Sequence, residues 1–131
     1  MSCGFFLLPT LLAACATLPP ASHPVAGEWG GRHVRLSLGL NDGTLEYDCA
    51  AGTITGPLQL RLDGTFDAEG TLTPGRGGPE IEGQETPSFR VRYSGNVRGN
   101  TMSFQGRVEN GVLLGPFILR RGADPIIFRC L

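Results

Sequence analysis

From residue 33 onward, apolar and polar residues alternate in short runs broken by turn dipeptides, the period of strands with one buried face. Val34, Leu36, Leu38 and Leu40 alternate with His33, Arg35, Ser37 and Gly39, and Asp42-Gly43 suits a two-residue hairpin turn. A turn there pairs Leu40 with Leu45, Leu38 with Tyr47 and Leu36 with Cys49, so each apolar residue meets another. A second turn at Asp63-Gly64-Thr65 pairs Leu62 with Phe66 and Leu60 with Ala68, and sets Arg61 against Asp67 on the outer face. Gly99-Asn100 pairs Val97 with Met102, Tyr93 with Gly106 and Val91 with Val108. Asn110-Gly111 pairs Phe104 with Phe117, Met102 with Leu119 and Gly106 with Gly115, which leaves Tyr93 lying over two glycines.

The pattern predicts eight strands, at 33–40, 44–51, 58–62, 66–73, 89–97, 101–109, 112–120 and 126–130. Ile126, Phe128 and Cys130 share one face of the last. No segment carries a helical period. Successive antiparallel strands with short turns and one apolar face predict an all-β fold, a single small meander closed as an up-and-down barrel or rolled sandwich. The connection from Pro74 to Pro87 is longer than a turn and reads as a solvated loop.

The N-terminus breaks the alternation. Phe5 to Ala14 is an apolar run of signal-peptide length, short for a membrane span, with Pro9 inside it. Leu12-Ala13-Ala14-Cys15 resembles the lipobox of bacterial lipoproteins, although Met1-Ser2-Cys3-Gly4 carries no Lys or Arg. The resemblance implies cleavage before Cys15, a diacylglyceryl group on its thiol and an acylated amino group. Ala16 after the cysteine, by similarity to Gram-negative lipoproteins, implies the outer membrane. Residues 1–14 are then a signal peptide, 15–26 a lipid anchor and Pro-rich tether, and 27–131 the barrel domain.

That division changes the cysteine arithmetic. Cleavage removes Cys3 and lipidation consumes Cys15, leaving Cys49 and Cys130 to form one bridge in a compartment that permits disulfides. A metal pair is disfavoured because neither cysteine has CxxC spacing or a nearby histidine. With 11 basic and 12 acidic residues, the chain lacks the basic footprint of an electrostatic nucleic-acid binder.

Candidate chemistry is sparse. The expected inner face holds no charged residue and so no general acid–base pair. His23 falls in the tether and His33 on a polar strand face. No P-loop, dinucleotide fingerprint, HExxH or EF-hand loop occurs, so neither enzyme, cofactor nor metal is expected. Two surface features stand out. Arg90, Arg92 and Arg107 point outward from adjacent strands, with Arg92 opposite Arg107 and Glu109 opposite Arg90. Leu114, Pro116 and Ile118 form an outward apolar row, while Leu113, Phe117 and Leu119 face inward. Such a row is expected to be covered by the chain's own tether or long loop or, as the alternative, to meet a partner.

Three further resemblances set expectations. Gly27-Glu28-Trp29 is similar to the G-x-W element of lipocalins and other calycins, which implies a Trp closing one barrel end beneath an arginine. Arg120, Arg121 or Arg129 could supply it, with Arg120 taken as first choice. Tyr47-Asp48-Cys49 with a C-terminal cysteine resembles periplasmic lipoprotein inhibitors of lysozyme. The segments "EWGGRH", "LEYDCAAGTITGPL", "LGPFILRRG" and "FRCL" resemble small Gram-negative lipoproteins of unassigned activity. The expectation is therefore a non-enzymatic, outer-membrane-anchored periplasmic barrel that binds a protein partner. The alternatives are an inhibitor of an envelope-attacking hydrolase and a carrier of a small apolar ligand.

Overall fold

The structure, a computed structural model, describes residues 22–75 and 87–130. Those residues form ten strands: β1 (Ser22–Pro24), β2 (Gly27–Gly31), β3 (Val34–Leu38), β4 (Gly43–Tyr47), β5 (Ala50–Thr55), β6 (Gln59–Arg61), β7 (Thr65–Pro74), β8 (Phe89–Arg98), β9 (Thr101–Val108) and β10 (Leu113–Arg121). Eight of them close an antiparallel barrel in the order β10-β2-β3-β4-β5-β7-β8-β9. The expected all-β barrel is the observed fold. β1 and β6 form a separate two-stranded sheet, pairing His23 with Leu60.

One expected register holds throughout and a second holds in part. β8 and β9 pair Val91 with Val108, Tyr93 with Gly106 and Val97 with Met102. β9 and β10 pair Phe104 with Phe117 and Met102 with Leu119, but the ladder shifts between Leu114 and Phe117. Gly106 therefore meets Leu114 rather than Gly115. The Gly115-Pro116 step forms this bulge, since Pro has no N–H to give the ladder.

Elsewhere the sequence misplaces turns. The β3–β4 turn is Gly39 to Asp42, closed by Gly39 N–H donating to the Asp42 carbonyl at 2.8 Å. Leu38 thus pairs with Gly43, Leu36 with Leu45 and Val34 with Tyr47. The slip is even, so Val34, Leu36, Leu38, Leu45 and Tyr47 keep their expected face, whereas Leu40, expected opposite Leu45, stands 73% exposed in the turn. The predicted strand 44–51 is split by a two-residue turn, Asp48-Cys49, with Cys49 at φ 54°. The Arg32-His33 turn between β2 and β3 is built likewise, with His33 at φ 73°. The strand predicted at 58–62 leaves the barrel: β7 pairs with β5, and β6 pairs with β1. Arg61 and Asp67 nonetheless form the expected ion pair. Ser22–Pro24 thus belong to the folded unit, within the stretch expected to be tether, and Val25 is buried.

The predicted last strand is not one. Residues 122–130 run as a strap across β2, held by an isolated parallel bridge between Arg32 and Ile126. A Cβ on Gly30 would lie 2.1 Å from the Ala123 carbonyl oxygen, so only glycine lets the strap lie this close. Cys130 is bonded to Cys49, as expected.

The barrel has two distinct ends. The turns 39–42 and 99–100, the β5–β7 connection with β6, and the end of β10 lie at one, with β1. This is termed the entry end. The turns Arg32-His33 and Asp48-Cys49, the β9–β10 turn and the disulfide lie at the other, the clasp end.

Inward residues fill the lumen. Tyr47 and Tyr93 reach across from β4 and β8, and the Tyr47 hydroxyl donates to the Tyr93 hydroxyl at 3.0 Å. Phe117 and Phe104 complete a ring of aromatic contacts, with centroids 5.6 Å (Tyr47–Phe117), 5.3 Å (Phe117–Phe104) and 5.9 Å (Phe104–Tyr93) apart. Room for Tyr93 comes from glycines on both flanking strands: Cβ atoms on Gly106 and Gly70 would stand 3.0 and 3.1 Å from its ring. Leu36, Leu45, Val91, Met102 and Leu119 continue the same cluster. An eight-stranded barrel is just wide enough to be filled in this way.

Candidate functional surfaces

The entry end is closed by Trp29, which is fully buried. The guanidinium of Arg121 lies over its ring, 4.3 Å from the centroid, and donates to the Ala26 carbonyl at 3.2 Å. Arg120 does not take this place. Arg121 pairs directly with Trp29 and so shares its inward face, whereas Arg120 pairs with Gly30 and points outward. The Trp29 indole nitrogen has no hydrogen-bond partner among the described residues. Beside this lid lies an open cleft of about 360 Å³ lined by His23, Pro24, Leu60, Arg61, Leu62 and Arg121.

At the clasp end the strap is fastened by polar contacts as well as by the disulfide. His33 Nδ1 hydrogen-bonds Asp48 Oδ2, and Phe128 N–H donates to Asp48 Oδ1 at 2.7 Å. The Phe128 amide, helped by His33 and the charge of Arg32, holds the Asp48 carboxyl below its ordinary range. The His33 ring lies 5.5 Å from that of Phe128. Asp48 Oδ1 thus holds the strap and Oδ2 ties Asp48 to His33, whose backbone N–H donates to the Ile126 carbonyl, a structural use for the histidine and aspartate.

The three outward arginines stand as the registers imply. Arg92 is opposite Arg107 and also beside Glu69 of β7, at 3.6 Å. Arg90 lies 3.9 Å from Glu109, whose carboxylate also accepts from the Arg90 backbone N–H. Arg107 has no ion pair among the described residues, and a shallow hollow of about 240 Å³ lies between it, Arg92 and Asp67. This is a mixed charged face on which Arg107 is the arginine of the three without an ion pair among the described residues.

The apolar row needs correction. The bulge at Gly115-Pro116 reverses parity, so Leu114 packs inward against the core while Leu113 is 64% exposed. Ile118 is outward and exposed, as expected. Val112, Ile126 and Phe128 are exposed as well, so the apolar surface follows the strap and the start of β10. The sequence missed the strap residues because Ile126 and Phe128 read as a buried strand face.

The interior holds two hydrogen-bonded hydroxyls and, among the described residues, no buried ion pair. Burial pushes the Tyr47 hydroxyl far above its ordinary range, with Tyr93 adding to the effect. Burial raises Tyr93 too, partly offset by the hydrogen bond from Tyr47. Among the described residues no group of three or more His, Cys, Asp or Glu side chains is placed to hold a metal ion. Cys15 and the rest of the lipobox lie outside the described residues. No family model, no curated protein and no solved structure matches the chain.

Proposed function

We propose that the chain is a lipoprotein held at the periplasmic face of the outer membrane, whose small barrel is a non-enzymatic binding module. The observation that carries this reading is Leu12-Ala13-Ala14-Cys15 at the end of an apolar run of signal-peptide length. The Cys49–Cys130 bridge supports it, because disulfides persist in extracytoplasmic compartments. The filled lumen supports a partner-binding surface over a ligand-carrying cavity, since a carrier needs a hollow of several hundred Å³. The protein partner is met by exposed groups: Arg107 with Arg92 and Arg90 on one face, Ile118 and the strap on another.

The test is fractionation of a Cys15→Ala variant. It should leave the membrane fraction and appear in the soluble one, while the parent stays with detergent-extractable membrane. A variant that remained membrane-bound would overturn the anchor.

A second reading, an inhibitor of an envelope-attacking hydrolase, is favoured by the clasp end. There a disulfide, a hydrogen-bonded aspartate and a histidine ring tilted against Phe128 hold Phe128 and Ile126 half-exposed in one place. Preorganised apolar side chains suit insertion into a cleft. Loss of inhibition in a Phe128→Ala variant would support that reading. No inhibition of lysozymes or periplasmic proteases by the parent at micromolar concentration would exclude it.

A further inference from the structure

Two tight turns at the entry end carry leucine where turn chemistry calls for polar residues. Gly39 to Asp42 holds Leu40, and Arg61 to Gly64, closed by Gly64 N–H donating to the Arg61 carbonyl, holds Leu62. Among the described residues they are the most exposed large apolar side chains, at 73% and 75%. Neither supports the core. Their turns lie at the end of the barrel where the described chain begins, at Ser22.

The same end carries free cations. Arg98 pairs with Thr101 across β8 and β9, and Thr101 pairs with Arg120 across β9 and β10. Arg98 and Arg120 therefore flank one threonine on the outer face, about 10 Å apart by strand spacing. Neither has a carboxylate partner among the described residues. Of the local acids Asp67 is ion-paired with Arg61, Asp63 and Glu28 accept hydrogen bonds from Thr65 and Ser37, and Asp42 and Asp124 have no ion pair among the described residues. All basic residues of the chain are arginines, whose planar fork suits phosphate.

Chain length selects the occupant. Seven steps separate Cys15 from Ser22, which reach at most about 24 Å. The ten-residue strands β7 and β8, tilted as in small barrels, give a height of about 25 Å. Turning the clasp end to the membrane would consume the whole reach of the tether along the barrel wall. We infer that the entry end docks on the phospholipid surface, with Leu40 and Leu62 in the headgroup–acyl boundary and Arg98 and Arg120 on lipid phosphates. The clasp end then faces away, presenting the strap to the periplasm. The inference rests on the reading that Cys15 is the lipid attachment point.

The test uses residues 15–131, which contain every described strand, coupled through the Cys15 thiol to a maleimide-bearing phospholipid in vesicles. The coupling fixes the attachment point whether or not a cell acylates it, so a failure of docking is separable from a failure of the lipoprotein reading. Leu40→Trp, Leu62→Trp and Leu113→Trp variants are compared in vesicles containing acyl-brominated lipid, after subtracting the Trp29 signal of the parent. Quenching should be several-fold stronger at positions 40 and 62 than at 113, and should fall when Arg98→Gln and Arg120→Gln are added. Anionic and purely zwitterionic vesicles then separate headgroup charge from the phosphate common to both. Equal quenching at the three positions, strongest quenching at 113, or none at 40 and 62 would overturn the proposal. A circular-dichroism spectrum matching the parent shows that each variant is folded.

Discussion

The Tyr47–Tyr93 pair shows how one hydrogen bond is handled inside an apolar barrel. Each hydroxyl has the other as its partner, and neither finds a second among the described residues. Removing one leaves the survivor buried with no partner, whereas removing both leaves only apolar surface. Tyr47→Phe should therefore cost about 1–2 kcal/mol. Adding Tyr93→Phe should restore part of that loss, a coupling read by urea unfolding of the four members of a double-mutant cycle. Strictly additive losses would contradict this account. The sequence shows Tyr93 over Gly106 because strict alternation fixes that pair. It does not show Gly70, whose strand alternates as if to pair with residues 58–62, nor the bulge that takes Gly115 away. Arg121 rather than Arg120 over Trp29 depends on the β2–β10 closure, a contact between the two ends of the barrel sequence that no local pattern encodes.

At the scale of elements, local hairpins were legible and excursions were not. The β8–β9 turn carries Gly-Asn, which sets its register directly, whereas the Asn-Gly of the β9–β10 turn sits in a wider loop closed by Val108 N–H donating to the Val112 carbonyl, so Leu113 meets Arg107. β6 has the same alternating chemistry as a barrel strand, but the chain spends it on β1 to cover the entry end. The strap likewise alternates yet stays a strap, because its binding is made by Asp48, His33 and a disulfide rather than by a ladder. Two consequences follow for this element. The Asp48 carboxyl is held below its ordinary 3.8, so its contribution is complete above that value and is lost as pH falls through the lower folded value. The Phe128 amide resonance should move with an inflection below pH 3.8 and show none in Asp48→Asn, measured by NMR. An inflection at or above 3.8 would count against the contact. The bridge closes a loop between positions separated by 81 residues. Cys49→Ala with Cys130→Ala should lower stability by about 2–5 kcal/mol in denaturant titration. The midpoint should fall with little change in the native β-sheet spectrum, because the barrel ladders do not pass through the strap.

Viewed whole, the molecule is a filled barrel with unlike ends. Its all-β class and antiparallel closure were legible because the apolar runs from residue 33 onward had period two and none had the period of a helix. Its candidate surfaces were legible only where register was: Arg92 against Arg107 stands as expected, whereas Leu114 changed faces at a bulge. Filling of the lumen follows from four aromatic side chains brought together from β4, β8, β9 and β10, a convergence that needs closure as well as alternation. The functional account assigns the surfaces by placement relative to the membrane, and its central claim is the lipid on Cys15. The most direct measurement is the intact mass of the protein extracted from its native envelope, with peptide mapping of its N-terminus. The account predicts a mature chain beginning at Cys15 and heavier by a diacylglyceryl group and an amide-linked acyl chain. A chain that retains residues 1–14, or carries Cys15 unmodified, would contradict it.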